Sequence, residues 1–362
     1  MASFLFGLGA AITETVSQLV TGGAATEESI VGFSLDQNEG HRPTQEDECV
    51  AMLNFPASLP APPPASTSTE GMAAPLWRRS TYQSYLAVYD GHGGSTASGI
   101  CREKMAEILS GLLPPPTMGD AGGSGGGGAK SATNITNLSS TTPSSYELMS
   151  TSSTTSTTTT EVDDAVESGT SVSSSIVECY QKTDELLNNV DPDCGTTVAQ
   201  CLLRIEGGDA VLYASNVGDS RCILVRSKGK IATGGDRFVR LTVDHRCSNE
   251  AEVARIKAAD GFVFRNRVSG TLAVTRALGH RNDKDLILSL PEVKRIVLGA
   301  DDLAVVVATD GIWDNMKEED VAANVEKMRG EGKSPREAAQ ELKNQAMSKY
   351  GRDNIGVVVL YL

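Results

Sequence analysis

The sequence predicts an α+β fold, and three observations lead to that prediction. Apolar runs rich in β-branched residues recur along the chain, for example at 303–309 and 355–362, and such runs are typical of buried strands. Segments with apolar residues at helical spacing occur at intervals among them. Strands and helices do not alternate regularly as βαβ units would require, so the pattern favours an α+β sandwich over a doubly wound sheet.

The first twenty residues are apolar and small, with helical spacing from Leu8 to Leu19. No Lys or Arg precedes Arg42, so the charged region of a signal peptide and the arginines of a mitochondrial presequence are both missing. Ala2 follows Met1, which excludes N-myristoylation. We expect the segment 1–29 to form an amphipathic helix that docks on the domain, in preference to one that binds a membrane or a partner.

A single large domain is predicted from residue 30 to residue 362, with two interruptions. The segment 55–80 is rich in proline and is predicted to be a long loop. The segment 114–175 is rich first in glycine and then in serine and threonine. It cannot bury enough apolar surface to offset the entropy of ordering, so we expect it to be disordered.

Helices are predicted within the domain wherever apolar and charged residues alternate at helical spacing. These segments are 96–113, 176–190, 249–259 and 335–350. Strand-like runs dominate between residues 194 and 241. No internal repeat is evident.

Composition limits the classes of partner. The formal net charge is −14 and the isoelectric point is about 4.8, so the surface repels nucleic acid and anionic membranes. Seven cysteines without a CxxC pair indicate reduced thiols in the core of a cytoplasmic or nuclear protein. No segment beyond the N-terminal one is apolar and long enough to suggest stable membrane insertion, and nothing in the sequence requires more than a monomer.

Four aspartates stand beside strand-like runs, next to glycine, serine or asparagine: Asp90, Asp219, Asp310 and Asp353. Glu46 occupies a fifth such place. Several strands are therefore expected to direct carboxylates to one spot, where an unpaired carboxylate would be costly. Oxygen ligands without cysteine or histidine suit Mg or Mn ions rather than zinc or copper.

Neighbouring residues would complete a site for phosphoryl transfer. Two divalent ions about 3.5–4 Å apart can activate a shared water and hold the attacking and leaving oxygens. Asp90 and Gly91 are predicted to form a sharp turn from which the carboxylate and the Gly91 carbonyl reach the ions. His92 could protonate a leaving alkoxide, and Arg42 could hold two phosphate oxygens. Taken singly, each of these residues is more often a turn, a structural histidine or a solvated charge.

Eight stretches give the chain a resemblance to a known family. They are RPTQED, VYDGHGG, CGTTV, NVGDSR, LTVDHRCSNEAEVARI, RVSGTLAVTRALG, ATDGIWD and RDNIGVVVL. In this order they resemble the metal-dependent PPM family of protein serine/threonine phosphatases, the type 2C phosphatases. The resemblance implies two mainly antiparallel β-sheets packed face to face and flanked by helices, a four-layer αββα sandwich. It also implies hydrolysis of phosphoserine and phosphothreonine in protein substrates by a metal-activated water, without a covalent intermediate.

The resemblance also assigns roles by position. Asp90, Asp310 and Asp353 would bind the first Mn or Mg ion, and Glu46, Asp90 and the Gly91 carbonyl the second. Asp47 would orient metal-bound waters. A weaker third metal position would use Asp219, Asp310 and Asp314, with Thr197 nearby. Arg42 matches the phosphate clamp and His92 the general acid. No organic cofactor is implied.

Three positions depart from the family pattern. Gln45 replaces the usual Met before the Glu-Asp pair, and Asp260-Gly261 replaces the usual Gly-Gly ahead of the flap beside the cleft. His280 replaces the Asp of Ala-Leu-Gly-Asp, and we expect it to face solvent. No predicted ligand is lost.

Two other functions compete with this interpretation of the sequence. Asp191-Pro192-Asp193 before Gly195-Thr196 suggests a haloacid-dehalogenase-type phosphatase, but that class needs its first Asp after a buried strand, and the preceding segment is amphipathic and helical. A binding module that keeps the fold without turnover is the alternative of another class, and the intact ligand set argues against it. For the Ser/Thr-rich insertion, a regulatory tether and a neutral surface insertion are both open.

Overall fold

The structure is a computed structural model that describes residues 31–36, 42–55, 83–114, 136–138, 171–227, 236–349 and 351–362. The predicted N-terminal helix lies outside the described residues. So do most of the proline-rich loop and most of the Gly/Ser/Thr-rich insertion.

Fourteen strands lie in the described part of the chain. They are β1 (Val31–Asp36), β2 (Glu48–Phe55), β3 (Gln83–His92), β4 (Thr136–Leu138), β5 (Gly195–Glu206), β6 (Asp209–Val217), β7 (Arg221–Arg226), β8 (Phe238–Arg240), β9 (Val263–Phe264), β10 (Arg267–Val268), β11 (Leu278–Gly279), β12 (Glu292–Val297), β13 (Asp302–Ala308) and β14 (Ile355–Tyr361). Six α-helices accompany them: α1 (Thr96–Leu112), α2 (Val172–Leu186), α3 (Glu250–Ala258), α4 (Asp310–Trp313), α5 (Glu318–Gly330) and α6 (Pro335–Ser348).

The strands form two large antiparallel sheets and one small hairpin. The first sheet has the order β2-β3-β5-β6-β12-β4, with β11 paired to β5, and the second has the order β1-β14-β13-β7-β8. The pairings within both sheets are antiparallel. Strands β9 and β10 pair only with each other.

Alternating side chains of the central strands face two different cores. On β3, Leu86 and Val88 belong to the core that also contains Val305 and Val358 of the other sheet. Tyr85, Ala87 and Tyr89 point to the opposite face and pack with residues of α1 and α2. A third core joins the outer face of the second sheet to α4, α5 and α6. These layers confirm the predicted αββα sandwich, and strands buried on both faces explain the uninterrupted apolar runs.

The predicted helices were found, and several boundaries needed correction. Helix α2 begins at Val172 with Ser171 as its N-cap, inside the segment expected to be disordered up to residue 175, because the buried Val172 and Ile176 anchor its first turn. Strand β4 also falls in that segment and pairs with β12. The proline-rich loop was predicted to start at residue 55, but Phe55 ends β2 and is buried.

Helix α5 was missed by the sequence analysis. It begins with three acidic residues, and its buried residues are Val321, Ala322, Val325 and Met328. These positions share one buried face, so the helical signal was present in a segment that otherwise reads as charged surface. All seven cysteines are buried and reduced, as predicted.

Candidate metal centre

Three carboxylates, of which one is buried and two are half-buried, meet at one end of the sandwich. Oxygen atoms of Asp90, Asp219 and Asp310 all lie within 4.8 Å of one another. They come from different elements: Asp90 from β3, Asp219 from the turn between β6 and β7, and Asp310 from the start of α4 after β13. The prediction that several strands direct carboxylates to one spot is confirmed for these three.

Asp90 reaches this point by strand alternation. It follows Leu86 and Val88 at two-residue spacing, so its side chain points toward the gap between the sheets, where those residues face. The predicted turn at Asp90-Gly91 was wrong, because β3 continues to His92 and pairs Asp90 with Thr197 and Gly91 with Thr196. The chain turns two residues later than expected, at Gly93 and Gly94, whose φ angles are 70° and 113°.

Gly91 is required by crowding rather than by a turn. A Cβ atom at this position would lie 2.5 Å from the backbone oxygen of Glu46 and 2.7 Å from Oγ of Ser98. The same Ser98 hydroxyl donates to the Glu46 carbonyl at 2.6 Å. The close approach therefore fixes the position of Glu46 relative to β3.

Asp310 and Asp353 lie at the same sheet end because their strands are antiparallel neighbours. Thr309 donates its backbone N–H to the Gly356 carbonyl at 2.9 Å. The Thr309 hydroxyl donates to Oδ2 of the buried Asp47 at 2.8 Å. This contact links the loop before β2 to the point where β13 ends.

The carboxylates are held close together against their mutual repulsion. Burial raises the pKa of Asp90 well above its usual value, and the charges of Asp47, Asp310 and Asp219 raise it further. Burial and the charges of Asp219, Asp314 and Asp353 do the same for the pKa of Asp310. Burial, partly offset by the Thr309 hydrogen bond, raises the pKa of Asp47 to about 7. Raised pKa values of this kind indicate a site in which the carboxylates outnumber the positive charges.

Arg246 is the cation that touches this cluster, and the sequence analysis did not single it out. Its Nε donates to Asp219 at 2.6 Å, its Nη2 to Asp310 at 2.9 Å and its Nη1 to Asp314 at 2.9 Å. An acid-rich site requires a cation, but the sequence does not show which of 32 Lys and Arg residues supplies it.

The remaining predicted residues surround the cluster. Glu46 is half-buried, accepts from the Thr44 hydroxyl at 3.1 Å and donates its backbone N–H to Asn354 at 2.9 Å. The Thr197 hydroxyl shares a hydrogen bond of 2.7 Å with Ser220. Glu46 and Asp353 lie outside the group of three carboxylates that share the 4.8 Å limit.

Arg42 pairs with a predicted metal ligand. Its guanidinium donates to Oδ2 of Asp353, and its Nε donates to the Arg352 carbonyl at 3.3 Å. An open cavity of about 410 Å³ lies beside this pair and is lined by Arg42, Asp310, Gly311, Asp314, Asn315, Arg352 and Asp353. A larger cavity of about 700 Å³ lies on α2 and β12 and contains none of the predicted site residues.

His92 meets a second histidine. Its Nε2 lies 2.5 Å from Nε2 of His280, and the two rings are nearly parallel with centroids 4.7 Å apart. Burial, followed by the charge of His280, lowers the pKa of His92 to about 3. The expectation that His280 faces solvent was wrong: it is 2% exposed and has a φ of 50°, because Gly195 leaves room for its ring.

Comparison with known proteins places this site in a family. The family model described as Protein phosphatase 2C matches residues 138–355. The chain belongs to the protein phosphatase 2C family. That match includes Asp219, Asp310 and Asp353 and ends at the first residue of β14.

Relatives and solved structures extend the likeness over the rest of the chain. The chain is 32% identical over 192 residues to protein phosphatase 2C homolog 1 of Saccharomyces cerevisiae, covering 49% of this chain and 64% of that protein. It is 29% identical over 337 residues to protein phosphatase 2C homolog 1 of Schizosaccharomyces pombe, covering 92% and 73%. The chain thus spans just under two thirds of the S. cerevisiae relative's length.

Solved structures support the fold. A serine-threonine phosphatase 2C from Toxoplasma gondii superposes with a TM-score of 0.57 at 17% identity, covering 91% of this chain and 94% of that one. A C. elegans sex determining protein superposes with a TM-score of 0.60 at 20% identity, covering 92% and 65%. The chain therefore has the sandwich fold of these two solved structures.

Proposed function

We propose that the chain is a metal-dependent protein serine/threonine phosphatase that hydrolyses phosphoserine and phosphothreonine without a covalent intermediate. One observation carries the proposal: Asp90, Asp219 and Asp310 are gathered within 4.8 Å with raised pKa values. Carboxylates held this close repel one another unless a proton or a cation compensates them. Membership of the protein phosphatase 2C family supplies the reaction class.

The donor set fits two Mn²⁺ or Mg²⁺ ions. It consists of carboxylate and carbonyl oxygens, the ligands that these hard cations prefer. We assign Asp90, Asp310 and Asp353 to one ion, and Glu46, Asp90 and the Gly91 carbonyl to the other. When bound, two such ions supply an activated water and neutralise phosphate charge.

The other residues position groups around the ions. Asp47, fixed by Thr309, is placed to orient waters. Arg42 is 43% exposed at its side chain and lies beside the cavity, so it can exchange Asp353 for a phosphate dianion, to which guanidinium binds in a bidentate manner. Thr197 supports the turn that carries Asp219, because Gly218 packs directly against its side chain.

His92 is the proposed proton donor to the leaving oxygen. Its Nε2 contacts His280, so it must exchange that partner for the leaving oxygen of serine or threonine. The ring also hydrogen bonds with the backbone of Asp90, which keeps it next to the carboxylates. Proton donation matters for these substrates because their alkoxides are poor leaving groups.

Substrates, location and assembly complete the proposal. We propose phosphoproteins as the substrates, a monomer as the working form, and a cytoplasmic or nuclear location. Among the helices of the described residues, none is both long and apolar enough to cross a membrane. The strongly acidic composition disfavours nucleic acid as a partner.

Hydrolysis of a phosphothreonine peptide by the purified chain tests the function. We expect turnover with Mn²⁺ or Mg²⁺, none with EDTA, and a loss of roughly 10³-fold in Asp310→Asn, since metal stabilisation of the transition state is worth several kcal/mol. Asp301→Asn is the matched control, because the half-buried Asp301 stands just before β13, at the strand end away from the carboxylates. Folded protein that gives no turnover with any metal would instead support a binding module.

A further inference from the structure

Arg246 contacts every carboxylate of the position where the family resemblance implies a third metal ion. All three of its guanidinium nitrogens are used, one each for Asp219, Asp310 and Asp314. Charge-assisted hydrogen bonds of 2.6 to 2.9 Å are among the strong ones. These carboxylates therefore already have a cation.

The backbone of Arg246 is held in place by buried neighbours on both sides. His245 before it is fully buried, and its Nδ1 accepts from the Gly218 N–H at 3.1 Å. Cys247 after it belongs to the small core that includes Ile256 and Val268. The backbone of Arg246 pairs with Val274. The fixed backbone therefore holds the start of the Arg246 side chain in one place beside the three carboxylates.

Two divalent ions are enough to balance most of the charge at the centre. Six carboxylates surround the centre: Glu46, Asp90, Asp219, Asp310, Asp314 and Asp353. Arg42 and Arg246 each pair with at least one of them. Two divalent ions together with these two guanidinium groups neutralise the six carboxylates. Asp47 is a seventh carboxylate close enough for its charge to act on Asp90, and it accepts a hydrogen bond from Thr309.

We propose that Arg246 takes the place of a third metal ion in this chain, so that the chain binds two divalent ions and Arg246 neutralises Asp219 and Asp314. The inference rests on the metal centre of the proposed function and concerns its stoichiometry. A divalent ion at the third position would first have to displace a cation that is bonded to all three of its carboxylates.

Counting bound Mn²⁺ tests the proposal without measuring turnover. The full chain is equilibrated by dialysis with Mn²⁺ well above the concentration that saturates its tighter sites, and metal per chain is measured by elemental analysis. We expect two ions in the wild type and three in Arg246→Met, which keeps the length of the side chain but frees the carboxylates. Arg226→Met is the matched control: Arg226 is similarly exposed and pairs with the buried Asp302, and it should leave the count at two.

A second variant keeps the test decisive if Arg246→Met does not fold. Asp219→Asn should bind as many ions as the wild type, whereas one ion fewer than the wild type would show that Asp219 holds an ion and would overturn the proposal. Three ions in the wild type, or two in well-folded Arg246→Met, would overturn the proposal. Fewer than two ions in the wild type would overturn the metal centre itself, and the inference with it.

Discussion

Two clusters of buried charge in this protein have opposite balances of carboxylates and cations. At the candidate metal centre, Asp219, Asp310 and Asp314 share the contacts of a single arginine, Arg246. Beside α3, one carboxylate, Glu252, is shared by two arginines: Arg276 donates to it at 2.5 and 3.1 Å, and Arg255 at 2.9 and 3.3 Å. Each cluster contains a buried carboxylate, Asp219 in the first and Glu252 in the second, so burial alone does not distinguish them.

The pKa values of the two clusters move in opposite directions. Burial would raise the pKa of Glu252, but the hydrogen bonds and charges of Arg276 and Arg255 outweigh it and lower the pKa to about 2. At the metal centre the surplus of carboxylates leaves burial and repulsion dominant, and the pKa values rise. A buried carboxylate supplied with cations by its own chain stabilises the fold. A surplus of carboxylates marks a place for a cation from outside.

The largest effect on stability is expected at Glu252, which pairs with two arginines. Glu252→Gln removes the charge that compensates two arginines, and breaking a buried pair in this way costs about 3 kcal/mol or more. Urea unfolding measures the loss of stability. Glu250→Gln is the control, because Glu250 lies in the same helix but is exposed. A loss of stability no larger than that of the control would contradict the conclusion that the paired Glu252 stabilises the fold.

At the metal centre, removal of a carboxylate charge is expected to stabilise the protein rather than destabilise it. In EDTA, Asp90→Asn relieves repulsion from Asp47, Asp310 and Asp219 and should stabilise the protein by roughly 1–2 kcal/mol, the equivalent of about one pKa unit. Urea unfolding in EDTA measures this gain. As a contrast, Asp302→Asn should destabilise, since Asp302 is buried and pairs with Arg226 at 2.9 Å. Destabilisation by Asp90→Asn without metal would show that its charge is already compensated.

The smallest effect is a change in the pH dependence of stability. Groups with raised pKa values bind protons more tightly in the folded state, so their contribution is present at low pH and is lost as pH rises. For Asp47 this contribution is lost as pH rises from the ordinary aspartate pKa of 3.8 to the raised pKa of about 7. Glu252 behaves in reverse, and its contribution is lost as pH falls from 4.5 toward 2.

In EDTA we therefore expect stability to increase as pH is lowered from 7 to 5, by at most about 1.4 kcal/mol per pH unit for each proton bound. Urea midpoints measured across this range test the slope. Asp310→Asn should reduce this slope, because the variant lacks one of the carboxylates that repel Asp90 and raise its pKa. A flat profile in the wild type would contradict the raised pKa values at the centre.

Much of the fold was predictable because its signals are local. Runs buried on both faces predicted strands such as β13 and β14, and helical spacing predicted α1, α3 and α6. The boundaries at α2 and β2 were less predictable, since Val172 and Phe55 gain their stability from cores built by distant segments. Helix α5 shows that a narrow apolar face on a charged helix is easily overlooked.

The acidic residues of the candidate site could be predicted from the sequence, but their arrangement in space could not. The prediction placed Asp90 at a turn, yet the pairing with Thr197, more than one hundred residues away, keeps it in a strand. The prediction sent His280 to solvent, yet the space beside Gly195 admits its ring. Both errors concern long-range contacts, which a local sequence pattern does not contain.

The sequence by itself determined the layered fold class, the acidic residues and the preference for hard cations, because these follow from the order and type of neighbouring residues. The tertiary structure decided which charges compensate one another. Arg246 lies 27 residues from Asp219 and 64 from Asp310, and only folding brings the three together. Coulombic energy depends on distance in space and on burial, and the packing of the two sheets sets both.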